Sequence, residues 1–179
     1  MRLKLLSLIA ASLIALSGCA SLSGKLPMLA MDNRAALIGE QITYQLQWQE
    51  GKNSGQMLLV LAHGEGSVQL VGLSNTSVSL FSLQRDHKGD SLEKSYFYRK
   101  LPDAQQLLNR LLMAYYSEAY IQQQLGEDWQ LVETAEVKQW FYRGKLQLTI
   151  VRAEQGISLQ SPKQRLHLTI IARESVDSL

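Results

Sequence analysis

The sequence predicts an α+β domain: a strongly curved antiparallel sheet, half-open like a split barrel, closed by a helical segment inserted after the fifth strand. Three observations carry this expectation. Apolar residues alternate with period two in "QITYQLQWQ" (41–49). About ten such short runs follow one another, separated by turn residues. The spacing changes to a helical one in a single place, between Leu101 and Gly126.

In the first strand Ile42, Tyr44, Leu46 and Trp48 share one face while Gln41, Gln45, Gln47 and Gln49 share the other, the pattern of a strand with one wet side. "EGKNSG" predicts a hairpin loop of four to six residues, and "QMLLVLA" is the returning strand. "HGEG" turns the chain into "SVQLVGLS"; "VSLFSLQR", the polar turn "DHKGD" and "LEKSYFYRK" complete the first five strands. Leu107, Leu108, Leu111, Leu112 and Tyr115 then recur at helical spacing, with Pro102 placed for the first turn of that helix. Ser117 is positioned to cap a second short helix that Gly126 ends. "WQLVE", "VKQWFYR", "KLQLTIV", "GISLQ" and "RLHLTIIA" supply five more strands, and the polar "RESVDSL" is expected to fray.

The front of the chain reads differently. Arg2 and Lys4 precede twelve uncharged residues, Leu5 to Leu16, and small residues follow. These are the parts of a secretory signal peptide. A twelve-residue helix is about 18 Å long, short of the roughly 30 Å of a bilayer's hydrocarbon core. Leu16-Ser17-Gly18-Cys19 resembles the lipobox of bacterial lipoproteins, and Cys19 is the single cysteine of the chain. The resemblance implies cleavage between Gly18 and Cys19, with palmitate or a similar acyl chain on the new N-terminus and thiol-linked lipid on Cys19. Stable anchoring takes two lipid signals, and this arrangement provides them. Ala20 and Ser21 stand where an aspartate would retain an enteric lipoprotein in the inner membrane. The expected location is therefore the periplasmic leaflet of the outer membrane, held there by acyl chains.

The expected organisation is a signal peptide over 1–18, a lipidated N-terminus and short tether over 19–31, and one periplasmic domain over 32–179. Loss of residues 1–18 removes Arg2 and Lys4, so 16 basic residues balance 16 acidic ones. With no basic block left, nucleic acid is not an expected partner. With one cysteine, disulfides and thiolate metal sites are excluded.

The helical stretch "LLNRLLMAYYSEAYIQQQLG" carries an aromatic pair, Tyr115-Tyr116, and a Leu125-Gly126 ending. On those motifs the region from Leu107 to Leu168 resembles an uncharacterised family of bacterial lipoproteins, members of which occur in aryl-polyene gene clusters. Arg110 stands where that family has an acid, and Ser117 where it has proline. The layout is also similar to the LolA/LolB lipoprotein-sorting fold, in which helices form a lid over an apolar cavity.

Catalytic patterns are sparse. His63, His87 and His167 have no short spacing between them, so no metal site or cofactor is expected. "HGEG" reads as a turn rather than an oxyanion loop. Asp86, His87 and Asp90 could form an acid/base cluster, but "DHKGD" also reads as a solvated turn. The aromatics either fill an ordinary core or line a pocket for one small ligand. On the pocket reading the lining is Tyr44, Leu46, Trp48, Leu111, Tyr115, Tyr116, Trp129 and Trp140. The expected function is non-enzymatic: an anchored lipoprotein that binds or transfers a lipid, acyl chain or lipoprotein. The alternative is a tethered scaffold for an envelope export machine, with an envelope protein as partner.

Overall fold

Ten strands form one antiparallel sheet whose first and last members meet in its middle. A computed structural model describes residues 26–33 and 35–175. The strands are β1 (Glu40–Glu50), β2 (Asn53–His63), β3 (Ser67–Leu73), β4 (Ser79–Asp86), β5 (Gly89–Lys94), β6 (Trp129–Glu133), β7 (Val137–Tyr142), β8 (Lys145–Ala153), β9 (Gly156–Gln160) and β10 (Gln164–Ser175). Their order is β5-β4-β3-β2-β1-β10-β9-β8-β7-β6, so two five-strand meanders join along β1 and β10. The sheet is not closed. β5 and β6 are its two edges.

Between the meanders lie a 3₁₀ turn over Tyr96–Lys100 and two helices, α1 (Ala104–Tyr115) and α2 (Glu118–Leu125). The expected "LEKSYFYRK" strand therefore ends early. Ser95 turns the chain by accepting a hydrogen bond from the Phe97 amide at 3.3 Å, and three consecutive aromatics offer no alternation to extend the ladder. Pro102 lies before α1 rather than in its first turn, because Asp103 caps the helix by accepting from the Gln106 amide at 3.0 Å. Ser117 caps α2, and Gly126 follows it at φ 78°, as the sequence predicts.

Turns are tighter than expected. Glu50 pairs with Asn53, which leaves two residues between β1 and β2 instead of four to six. β7 and β8 are joined by Arg143-Gly144, both at positive φ (47° and 74°), the conformation of a type I′ hairpin. β10 continues to Ser175, where Arg173 pairs with Glu40, so the predicted fraying does not begin at residue 173. A bulge opposite Thr43 and Tyr44 leaves Ile171 without a partner on β1 and 55% exposed.

The covered face carries Ile42, Tyr44, Leu46 and Trp48 from β1, with Leu59, Leu70, Leu83, Ile150, Leu159 and Leu168 from other strands, all buried. From Leu107 to Ala114 every residue of α1 is buried, not only one stripe. A single sheet buries a helix all round only by wrapping it. α1 accordingly makes side-chain contacts with β1, β4, β8 and β10. The chain from Leu26 completes the cover: Leu26 and Leu29 are buried in the same core. The tether expected through residue 31 thus joins the packed domain at Leu26. The expected signal peptide and its cleavage and lipidation residues, Gly18 and Cys19, lie outside the described residues.

Candidate functional site

The candidate site is the wrapped face of the sheet together with α1, the helix that occupies it. Leu107, Leu108, Leu111 and Leu112 are each at most 1% exposed. Burying four leucines contributes about 6–12 kcal/mol at roughly 1.5–3 kcal/mol each, the scale of a domain's whole net stability of about 5–15 kcal/mol. α1 cannot leave this face unless something apolar replaces it.

Polar contacts fasten the helix at both ends. At its C-terminal end the hydroxyls of Tyr44 and Tyr115 bond to each other, and Arg152 donates to the Ala114 carbonyl while lying 5.1 Å over the Tyr115 ring. Burial, reinforced by the neighbouring Tyr115, pushes the Tyr44 hydroxyl far above its ordinary range. Burial raises Tyr115 as well, against the lowering influence of its bond to Tyr44 and of Arg152. On another side of the helix Arg110 donates to Gln164, whose amide donates to Glu50 at 3.1 Å. Burial lowers the pKa of Arg110, opposed by Glu50 and Asp103.

Tyr116, just past α1, meets His63 at the end of β2. His63 Nδ1 donates to the Gly64 carbonyl (3.2 Å), so its Nε2 accepts from the Tyr116 hydroxyl (3.0 Å). Burial holds His63 below its usual pKa, and burial pushes Tyr116 up to about 12. Both groups are neutral at physiological pH. The pair acts as a packing hydrogen bond, and "HGEG" is a strand end and turn.

A third fastening was not anticipated. Arg85 donates through Nε and Nη2 to both oxygens of Asp90 (2.6 and 2.8 Å), and through Nη1 to Asn109 Oδ1 (2.6 Å) and the Leu29 carbonyl (2.9 Å). Gln105 adds a bond to Asp90 at 3.1 Å. Asn109 also accepts from the Leu29 amide and donates to the Pro27 carbonyl. Gln106 brackets Leu26, accepting from its amide at 2.8 Å and donating to its carbonyl at 3.1 Å. The entering chain, β4, β5 and α1 are thereby tied into one buried network. Asp90 is not part of a solvated turn, and Asp86, His87 and Asp90 form no acid/base cluster: Asp86 accepts from the Lys88 amide instead. A signal existed in the sequence, since Arg85 falls on the inward parity of Phe81 and Leu83.

Of the eight expected lining residues, seven are buried and Tyr115 is partly so. They surround α1. Trp48 Nε1, Trp140 Nε1 and Arg110 Nε are buried donors without a hydrogen-bond partner among the described residues. Among the described residues, grooves open to solvent at the margins of this core. One, of about 810 Å³, runs over the polar side of β2, β1, β10 and β9 past Gln47, Gln56, Arg165 and His167, reaching Trp48. A second, of about 720 Å³, lies between the entering chain and the β4–β5 turn. A third, of about 420 Å³, adjoins Tyr115, Tyr120 and Asp32. Among the described residues no group of three or more His, Cys, Asp or Glu side chains is placed to hold a metal ion, and no helix is long and apolar enough to cross a membrane.

A family model described as "Protein of unknown function (DUF3261)" matches residues 41–173. The chain belongs to the DUF3261 family. The matched range covers nearly the entire sheet and both helices. The entering chain up to Glu40, which includes Leu26 and Leu29, precedes the DUF3261 match. No curated protein matches the chain.

Proposed function

We propose that this DUF3261 protein is a non-enzymatic lipoprotein, anchored through Cys19 at the periplasmic leaflet of the outer membrane, that holds or passes on an acyl chain. One observation carries the reading: a wide apolar sheet face is covered chiefly by a leucine-rich helix, with the entering chain beside it, instead of by a second sheet. In the absence of cargo the helix fills the place an acyl chain would take, as a lid does in the LolA/LolB layout. The magnitudes are compatible. A chain of about sixteen carbons offers roughly 12 kcal/mol at about 0.8 kcal/mol per methylene, comparable to the leucine burial it would replace. The unpartnered indole and guanidinium donors give such a cargo's carbonyl or carboxylate something to bind.

The test is binding of a fluorescent fatty acid to the full chain, beside a Leu111→Ala variant. Leu111 is wholly buried between helix and sheet, so its truncation opens an apolar void. Saturable binding that tightens in the variant is the expected result. Absence of binding by both proteins, with no lipid co-purifying in native mass spectrometry, refutes the reading.

The scaffold reading draws on a different observation: β5 and β6 are open edges that could accept a partner's strand. It predicts a single stoichiometric crosslinked partner in cells, and no fatty-acid binding.

A further inference from the structure

The 3₁₀ turn after β5 buries none of its five residues. Tyr96 is 77% exposed and Phe97 68%, and their rings stack edge to face at 5.9 Å. Tyr98 points the other way. Its ring packs edge-on against buried Phe81 at 5.6 Å, and its hydroxyl donates to the Pro102 carbonyl and accepts from the Ala104 amide. The outward pair is thus held on a pinned platform. Arg99 lies 5.2 Å over the Tyr96 ring, Lys94 lies 4.7 Å over the Tyr98 ring, and Lys100 ends the turn; all three cations are exposed. Glu93 is the single acid between residues 91 and 102, and no carboxylate pairs with the three cations among the described residues. An exposed aromatic pair flanked along the chain by cations without carboxylate partners is the composition that settles at a lipid–water boundary.

The position agrees with this. The turn leads directly into α1, and Gln106 in the first turn of α1 grips Leu26, where the described chain enters the domain. Six residues lie between Cys19 and Leu26, and the seven steps from one to the other span at most about 25 Å when fully extended. A lipid on Cys19, as in the proposed function, would therefore hold this end of α1 close to the bilayer.

We propose that Tyr96 and Phe97 insert into the headgroup region of a phospholipid bilayer, with Lys94, Arg99 and Lys100 pairing with anionic headgroups. The surface adds a docking orientation to the anchor and needs no cargo.

The experiment uses the full chain with Cys19→Ser, so that no acyl anchor contributes, and Phe97→Cys labelled with an environment-sensitive dye. The control places the dye on Ile171→Cys, at the exposed bulge of β10. Vesicles with about a third anionic phospholipid should raise the emission from position 97 severalfold and leave position 171 unchanged. Combined Lys94→Gln, Arg99→Gln and Lys100→Gln should weaken the vesicle affinity read at position 97 by on the order of a hundredfold, about fivefold per cation. A silent dye at position 97, or an equal response at both positions, overturns the proposal. A silent dye together with a crosslink from position 97 to one acidic protein in cells would also overturn it, assigning the face to that protein. Since no fatty acid is involved, failure here leaves the acyl-binding result standing, and the reverse holds too.

Discussion

Replacing Asp90 by Asn tests the buried network most sharply. Asn preserves size and shape but removes the charge opposite Arg85. The two side chains are 3% and 4% exposed and joined by two bonds, so water cannot take over the lost role. Leaving one member of a buried pair uncompensated costs about 3–5 kcal/mol. For a domain of this size each kcal/mol moves the melting temperature by about 2–4 °C, so a fall of roughly 6–20 °C is expected by circular dichroism. The pH dependence gives a second reading. Burial raises the Asp90 pKa, but the hydrogen bonds and charge of Arg85, with Gln105, outweigh it and hold the carboxyl below its ordinary value. Its contribution is present in full above the unfolded carboxylate range, about pH 4, and disappears as pH falls through the lower folded value. The gap between wild type and Asp90→Asn should therefore narrow in acid. An apolar pair of similar volume, Arg85→Met with Asp90→Leu, should recover most of the loss. A loss under about 1 kcal/mol at neutral pH in Asp90→Asn would refute the claim that this pair holds β5 and α1 together.

Further outcomes follow from other contacts. His63 is held neutral by burial, so the unfolded chain takes up its proton first; stability should decline as pH falls below about 6.5, and His63→Gln should flatten that slope in urea titrations. Gly72→Val should cost about 1–3 kcal/mol in the same assay, because any Cβ at Gly72 meets the ring of buried Phe81. In an alkaline absorbance titration Tyr44, Tyr98, Tyr115, Tyr116 and Tyr120 should ionise late, each shifted upward first of all by burial; ordinary ionisation of all five in the folded protein would show that the α1 contacts are open in solution.

The strands were legible because one side of each is wet. Gln45 and Gln47 alternating with Tyr44, Leu46 and Trp48 state both the element and its inward face. Ser117 and Gly126 punctuate α2 through local chemistry that needs no tertiary context. The pairing of β1 with β10 was not legible, since alternation says which face is apolar and nothing about a partner some 120 residues away. The same limit hid the buried ties. Asn109 and Arg110 look like the polar stripe of an amphipathic helix, and only a sheet that wraps α1, with Leu29 and Gln164 on its flanks, makes them interior. Asp90 belongs to a polar turn by composition and leaves solvent because Arg85 reaches it from the adjacent strand.

The seam between β1 and β10 joins the start of the domain to its end. Each meander can zip its own hairpins as it is made, yet the two halves share no ladder until the last strand has emerged. A chain cut before Gln164 would lose the centre of its sheet, leaving two half-sheets with bare flanks and α1 wrapped by neither. The joining of the two halves consequently waits on the twelve-residue strand β10.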